Sequence, residues 1–377
     1  MSPTALPDAP GAQAPADREQ AAALLADCSA AGHAVRLRGG GSKLSWGRTG
    51  AVPALELATS GLDRVVEHNE GDFTAVLEAG VPVAAAQERF AAVGQMLALD
   101  PPDGGATMGG LFATADSGPL RHRYGGPRDL IVGATVALSD GTLARSGGKV
   151  IKNVAGYDLA KLFTGAFGTL GLIVEVAVRL HPRPRGTVTV VAEADDAVAV
   201  AAAAALLAHS PLEMESLDVA WSAAGAGRVL ARFGGLVAGE KAESALAVLH
   251  PHPVQARVQE DDDELWAVQR AGQRRPEGCV VRVSALPAQL AELMGLAQSL
   301  GGELVGRAAL GVSWIALPAL EPEQLEALRG RFAACVLLDG PPELRAALDP
   351  WGHEPSVLAE RVRARFDPTT TCNAGLL

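Results

Sequence analysis

Basic clusters are scarce in these 377 residues: 32 Lys and Arg stand against 43 Asp and Glu, for a formal net charge of -11. Phosphate affinity comes from clustered Lys and Arg, so a nucleic-acid partner is excluded. The basic pairs and triads at 274–275 and 361–365 are short and lie near acids. Cysteine is nearly as sparse. Cys28, Cys279, Cys335 and Cys372 are far apart, and no CxxC or Cys/His spacing suits zinc or an iron–sulfur cluster, which excludes a metal centre carried by this chain. Scattered cysteines in a chain this long read as reduced thiols of a cytoplasmic protein. Residues 1–17 are Pro/Ala-rich with two acids and no basic segment, which predicts a disordered lead-in rather than a signal peptide. The most apolar run, 197–208, falls short of the roughly 20 residues that cross a bilayer, so no direct membrane span is expected.

What is present is ordinary globular material, 48% hydrophobic and 20% charged, in a chain long enough for more than one core. Ala/Leu spacing predicts a helix over 18–31, and strands follow at 33–37, 52–58, 62–68 and 73–78. Pro82 opens an Ala-rich helix over 81–93. Residues 100–126 are dense in Gly, Pro and Asp and read as a long functional loop. Ser139-Asp140-Gly141 predicts a hairpin between strands 130–138 and 142–146, and a strand at 172–180 follows. Two prolines within His181-Pro182-Arg183-Pro184 mark a boundary. Beyond it, the order β-α-β-β-α-β is predicted twice, over 187–258 and 279–338: the split ferredoxin-like arrangement. The five acids at 260–264 between the units read as a solvated loop.

Three segments carry the chemistry. Arg38-Gly39-Gly40-Gly41-Ser42-Lys43 follows a strand, and its glycines allow successive backbone N–H groups to turn inward as an anion nest, or simply to make a surface turn. It is neither a GxGxxG turn nor a P-loop. Lys149 follows two glycines, but Val150 stands where a P-loop needs Ser or Thr, which excludes a nucleotide triphosphatase. The second segment is PPDGGATMGG at 101–110, continued by ATADSG at 113–118. The third is KNVAGYDL at 152–159, leading to LFTGAFGTLG at 162–171. Glycines in all three permit a backbone to approach a flat polyanionic ligand.

Together, GGGSK, PPDGGATMGGLFATADSG and KNVAGYDLAKLFTGAFGTLG resemble the successive FAD-contact segments of the FAD-linked oxidases, the family of vanillyl-alcohol oxidase and D-lactate dehydrogenase. The likeness covers residues 21–182, and the tail FDPTTTCNAG at 366–375 is similar to the family's closing Phe-Asp-Pro…Asn-Pro-Gly, with Ala374 in place of the proline. GGKVIKNVAGYDLAKL resembles the small FAD-binding subunit of glycolate oxidase within that family. The resemblance implies an α+β fold: a PCMH-type, two-subdomain FAD-binding lobe followed by a ferredoxin-like cap. It implies a tail at 1–16, an FAD-binding domain at 17–182, a cap of two units at 187–345, and a segment at 346–377 returning to the flavin. Arg38, Gly39, Gly40, Gly41, Ser42 and Lys43 would hold the pyrophosphate, with Thr107, Met108, Gly109 and Gly110. Thr114, Ser117 and Gly118 would line the flavin side. Gly168, Thr169, Gly171 and Ile173 would supply backbone contacts, and Asn373 would sit near the isoalloxazine ring. Relatives that attach FAD covalently use His or Cys; His33 lies in a predicted strand, so noncovalent FAD is expected.

Oxidation of a 2-hydroxy acid needs a base for the hydroxyl proton and a cation for the carboxylate. The larger dehydrogenase subunits carry a His-rich, Gly-Asp-Gly-Asn-containing segment that has no counterpart here, so the catalytic residues are unassigned. His209, His250, His252 and His353 are the histidines past residue 186. His250-Pro251-His252 reads as a turn. His353 and the Arg121-His122-Arg123 cluster stay open, the latter as a site for substrate, phosphate or solvent. The resemblance implies an FAD subunit of a glycolate (2-hydroxy-acid) dehydrogenase complex. Its partners would be a larger FAD-linked subunit and an iron–sulfur subunit, in the cytoplasm or peripheral to the inner membrane through them. A self-sufficient dehydrogenase of another alcohol or hydroxy acid, and a flavin-free scaffold, are the rival readings.

Overall fold

Asp17 starts the first helix, Arg18–Ala30, by accepting the Gln20 amide at 2.7 Å, which satisfies one of the donors every helix start leaves free. The helix buries Ala21, Ala22 and Leu25 against the first of three main sheets. That sheet is parallel, with β1 (Ala12–Gln13), β2 (Val35–Arg38) and β3 (Leu55–Ala58) in the order β1-β3-β2. The computed structural model describes residues 11–102, 104–148, 157–275 and 277–377. Ala12 and Gln13, expected within a disordered tail, instead pair with Glu56 and Leu57. Backbone pairing of this kind is invisible to composition.

The second sheet holds β4 (Val65–Asn69), β5 (Thr74–Glu78), β7 (Ile131–Ala137), β8 (Leu143–Gly147) and β9 (Leu172–Arg179), antiparallel in the order β4-β5-β9-β7-β8. The short β6 (Gln95–Met96) pairs with β10 (His181–Pro182) beside it. The expected 100–126 loop contains helix Met108–Thr114 and the single turn Arg121–Tyr124, with Pro127–Leu130 following. Their apolar residues Met108, Leu111, Phe112 and Leu130 enter the core under β5, β7 and β9. These helices are too short for a 3.6-residue period to stand out from the glycines.

The third sheet has eight strands: β11 (Thr187–Ala194), β12 (Ser216–Trp221), β13 (Gly227–Gly234), β14 (Gln255–Gln259), β15 (Cys279–Ser284), β16 (Glu303–Arg307), β17 (Val312–Leu317) and β18 (Ala334–Asp339). Their order, β14-β11-β13-β12-β16-β17-β15-β18, is two ferredoxin-like units joined edge to edge through β12 and β16. The fold is α+β, as the sequence predicted. Helices Ala197–His209, Ala238–Leu249, Leu290–Ser299 and Pro322–Arg329 pack one face of this cap sheet into a single core. Alternate strand residues, among them Val280, Trp314, Val336 and Leu338, emerge on the other face and pack on Trp46 of the preceding lobe.

The acidic run departs from its expected solvated loop. Asp262 is 2% exposed and accepts from Arg232, Thr187 and Thr189, while Asp263–Ala271 is a helix that seats Trp266 on Val191 and Leu230. A bidentate arginine makes burial of one acid of the five tolerable.

Candidate functional site

The site forms where β2 runs out into the 38–43 loop. Gly41 has φ +79°, a conformation that suits glycine. The amides of Gly39, Gly40, Gly41, Ser42 and Lys43 donate to no described carbonyl or side chain. Five successive N–H groups without a described partner are donors that an anion such as a pyrophosphate would take up, so the loop's chemistry fits the cofactor its pattern suggested. The second segment closes on this loop. A Cβ on Gly39 would lie 2.4 Å from Thr107 Oγ1, and one on Gly40 would lie 1.7 Å from the Gly105 carbonyl oxygen. Only glycine allows that approach.

The third segment joins through Asn373, whose φ is 44°. Its Oδ1 accepts the Leu37 amide at 2.8 Å, its Nδ2 donates to the Phe167 carbonyl at 2.7 Å, and its own amide donates to Val35. Gly168 lies directly against it. The Gly165 and Phe167 amides donate to Phe112 and Ala113, which ties this segment to the second. Phe167 then packs between Trp46 and Trp351, at centroid distances of 6.5 and 5.0 Å.

The remaining expected contacts divide by environment. Thr107 caps Met108–Thr114 through Gly110, and Thr114 Oγ1 donates to the Gly110 carbonyl. The Met108 and Gly109 amides are spent on Val81 and Ala79, so these two residues seat the helix in the core. Gly118 is pressed on the Asp100 carbonyl, and Thr169 Oγ1 donates to Ala166. Gly171 packs on Ala137, and the Ile173 side chain is buried in the core beneath β9. Arg38 pairs with Glu56 at 2.8 Å while its guanidinium lies against the loop, 3.2 Å from where a Cβ on Gly41 would stand. Residues 149–156, the whole of KVIKNVAG, lie outside the described residues, as does Asp103.

The cap supplies groups that the Gly-rich pattern did not disclose. Lys43 pairs with Asp116 at 3.0 Å, both largely buried, and stands over Trp46. Arg274 donates to the Ser42 carbonyl at 3.2 Å and pairs with Asp339, which also accepts from Trp46 Nε1. Gln273 donates to the Ser117 carbonyl and accepts from Arg307, whose guanidinium is fully buried against Asp218 at 2.6 Å. Burial pushes the Asp218 carboxyl up to about 6 against the opposing pull of Arg307. Asp218 and Arg307 are cross-strand partners at the seam of the two cap units. The signal for such residues is a charged position alternating with apolar ones, as in Cys279-Val280-Val281-Arg282-Val283.

The open clusters separate. Arg123 and Tyr124 are anchored to the cap through Glu215, the tyrosine hydroxyl donating at 2.6 Å. Burial, reinforced by the Arg123 charge, holds His122 below the ordinary imidazole range, so it is neutral at pH 7. His353 is exposed, against the Glu354 carbonyl, and His33 is exposed at the end of β2 away from the loop. Among the described residues, no group of three His, Cys, Asp or Glu side chains stands ready to hold a metal, and no helix is long and apolar enough to cross a membrane. A recess of about 640 Å³, lined by Asp195, Trp221 and Gln298, belongs to the cap alone.

The FAD binding domain family matches residues 10–147. The glycolate oxidase subunit GlcD of Bacillus subtilis is 34% identical over 45% of this chain and 36% of its own length. The glycolate oxidase subunit GlcE of Escherichia coli is 36% identical over 32% of this chain and 35% of its own length. The D-lactate dehydrogenase of Archaeoglobus fulgidus is 33% identical over 45% of this chain and 38% of its own length. The chain thus spans little more than a third of the length of these curated relatives. A solved alkyldihydroxyacetonephosphate synthase superposes with a TM-score of 0.70 at 15% identity, covering 96% of this chain and 76% of that one, a likeness of fold.

Proposed function

We propose that this chain, whose residues 10–147 match the FAD binding domain family, is the FAD-binding subunit of a glycolate (2-hydroxy-acid) dehydrogenase complex. In this reading the complex oxidises glycolate to glyoxylate and passes electrons from flavin to an iron–sulfur partner subunit. The observation that supports the flavin site most directly is the run of five amides at 39–43 without a described partner, closely approached by Thr107 and Gly105.

Oxidation of a 2-hydroxy acid removes a hydride from carbon and a proton from the hydroxyl, and FAD, when bound, supplies the hydride acceptor. The chain's residues bind and orient. The 39–43 amides would neutralise the diphosphate, Lys43 being held aside by Asp116. Asn373 ties the end of β2 to Phe167, which packs tilted on Trp46 and edge-on to Trp351. The base for the hydroxyl proton is assigned to the larger partner subunit, because its His-rich segment has no counterpart in this sequence.

The test is to purify the chain alone and with its native partners. The expected result is a yellow chain that releases FAD on denaturation and reduces no dye with glycolate until the larger subunit is added. Glycolate-dependent dye reduction by the isolated chain overturns the subunit assignment, and a colourless chain that takes up no FAD overturns the flavin site.

A further inference from the structure

We propose that His181, on the segment that joins the two lobes, is a proton-operated latch: its neutral imidazole lets the cap close on the flavin lobe, and its protonation opens that joint. His181 stands in β10 at the end of the flavin lobe, and the first strand of the cap begins at Thr187. Its ring packs on Tyr124, with centroids 4.7 Å apart and planes inclined by 60°. Tyr124 in turn donates to Glu215 of the cap at 2.6 Å. Arg123 pairs with the same carboxylate at 3.4 Å and lies over the Tyr124 ring. Glu215 is buried, and a Cβ on Gly234 would come within 2.9 Å of Pro184 and 3.0 Å of Glu215. Linker, lobe and cap thus meet at one tightly packed joint.

That joint has no place for an added proton. Nε2 of His181 is sealed from solvent without a hydrogen-bond partner, and so is Nδ1 of His122, in the turn that carries Tyr124. A neutral ring leaves one polar atom unsatisfied there, whereas an imidazolium leaves an ionised N–H with nothing to receive it, which costs more. The surrounding charges add to the cost. Arg179 bears on the ring from β9 and Arg123 from the turn, while the acid at the joint, Glu215, is already taken by Tyr124 and Arg123. On β6, the paired residues Met96 and Gln95 carry no charge, and His68 of β4 lies one step further, bonded to Gln95 at 3.0 Å. Burial first, then the two arginines, hold the His181 imidazole below its ordinary range. Its pKa is therefore lower in the closed joint than in an open one, where water reaches the ring. Closure is favoured in full above about pH 6.5 and is lost progressively as pH falls below that. Asp100 acts in the opposite sense, since its raised pKa stabilises the fold in acid. The latch depends on contacts between the lobes and not on a bound flavin, so it stands or falls apart from the functional reading above.

Hydrogen exchange on the full chain, corrected for the intrinsic pH dependence of the chemistry, reads the joint in peptides spanning 121–126 and 213–221. From about pH 7.5 to about pH 5.5 the parent is expected to lose about tenfold of its protection there, while the cap core around Val281 keeps its own. His181→Phe keeps a ring against Tyr124 and cannot titrate, so it should hold its protection at the lower pH. His181→Gln, neutral and polar, should do the same if the phenyl ring disturbs folding. His122→Phe separates the two histidines: the acid response should survive in it. A parent with equal protection at both pH values overturns the latch. So does a response that persists in both His181 variants, or one that disappears in His122→Phe alone.

Discussion

Glycine at position 40 and glycine at position 104 look alike in the sequence, but they face different surroundings. A Cβ on Gly40 would sit 1.7 Å from the Gly105 carbonyl oxygen, whereas one on Gly104 would meet only Ser42 Cβ at 3.6 Å, ordinary contact. Gly40→Val is therefore expected to push the first two segments apart and abolish FAD retention. Gly104→Ala is expected to bind FAD within about twofold of the parent, since Gly104 does not occupy the left-handed region. Flavin content after gel filtration reads both. The same contrast explains Gly109, whose Cβ would strike Ala79 at 2.6 Å: the tight approach there is between protein segments. Asp100 makes a different residue-level claim. Burial, with the Asp218 charge adding to it, raises its carboxyl to about 7 against the opposing pull of Arg307, Arg270 and the Leu120 amide. The native state thus holds a proton that the unfolded chain releases near pH 4. The stability this contributes is complete below that pH and is lost as pH rises through about 7. Denaturant midpoints measured between about pH 5 and pH 8 should fall with rising pH at this site, and Asp100→Asn, which still accepts from Leu120, should flatten that part of the slope.

At the scale of elements, what was legible followed from periodicity and from punctuation. The βαββαβ order read from alternating apolar runs is present twice, because each cap strand buries one face under helices and so keeps a clean period of two. The hairpin at Ser139-Asp140-Gly141 joins β7 and β8 for the same local reason. Where pairing or tertiary burial decided the structure, the sequence was silent. β1 exists only because Leu55–Ala58 offers it a parallel edge. The Met108–Thr114 helix hides in a Gly-rich stretch that reads as loop, although Thr107 has the chemistry of a cap. Asp262 looked like one solvated acid among five until Arg232, 30 residues earlier in the chain, reached it from a neighbouring strand. The candidate site divides along the same line. Its glycine-lined loop could be read from the sequence, while Gln273 and Arg274 could not, since polar residues in the turn after Asp263–Ala271 show their partners only once the cap is laid on the other lobe.

At the scale of the whole molecule, the question is how the cap senses the flavin lobe. The two are joined at the segments expected to touch cofactor: Arg274 donates to the Ser42 carbonyl, Gln273 donates to the Ser117 carbonyl, and Glu215 accepts from Tyr124. Gln273 in turn is held by Arg307 at the seam of the two cap units, so the loop, the seam and both halves of the eight-stranded sheet are linked through one buried chain of polar contacts. The first two links satisfy backbone carbonyls and the third the buried Glu215 carboxylate, and leaving a buried acceptor unsatisfied costs about 1–3 kcal/mol. FAD at 100 times its Kd adds about 2.7 kcal/mol to whatever unfolds with its site. If the links couple the layers, that stabilisation reaches the cap as well. The parent chain should then melt in a single transition that FAD moves upward as a whole. The double variant Gln273→Ala, Arg274→Ala should melt in two, with FAD raising only the transition that exposes Trp46 and Phe167. A parent chain that already melts in two steps would show that the layers unfold independently, whereas a double variant that keeps one FAD-responsive step would show that the apolar contact of Trp46 with Trp314 and Val336 carries the coupling and that the polar chain only orients the loops.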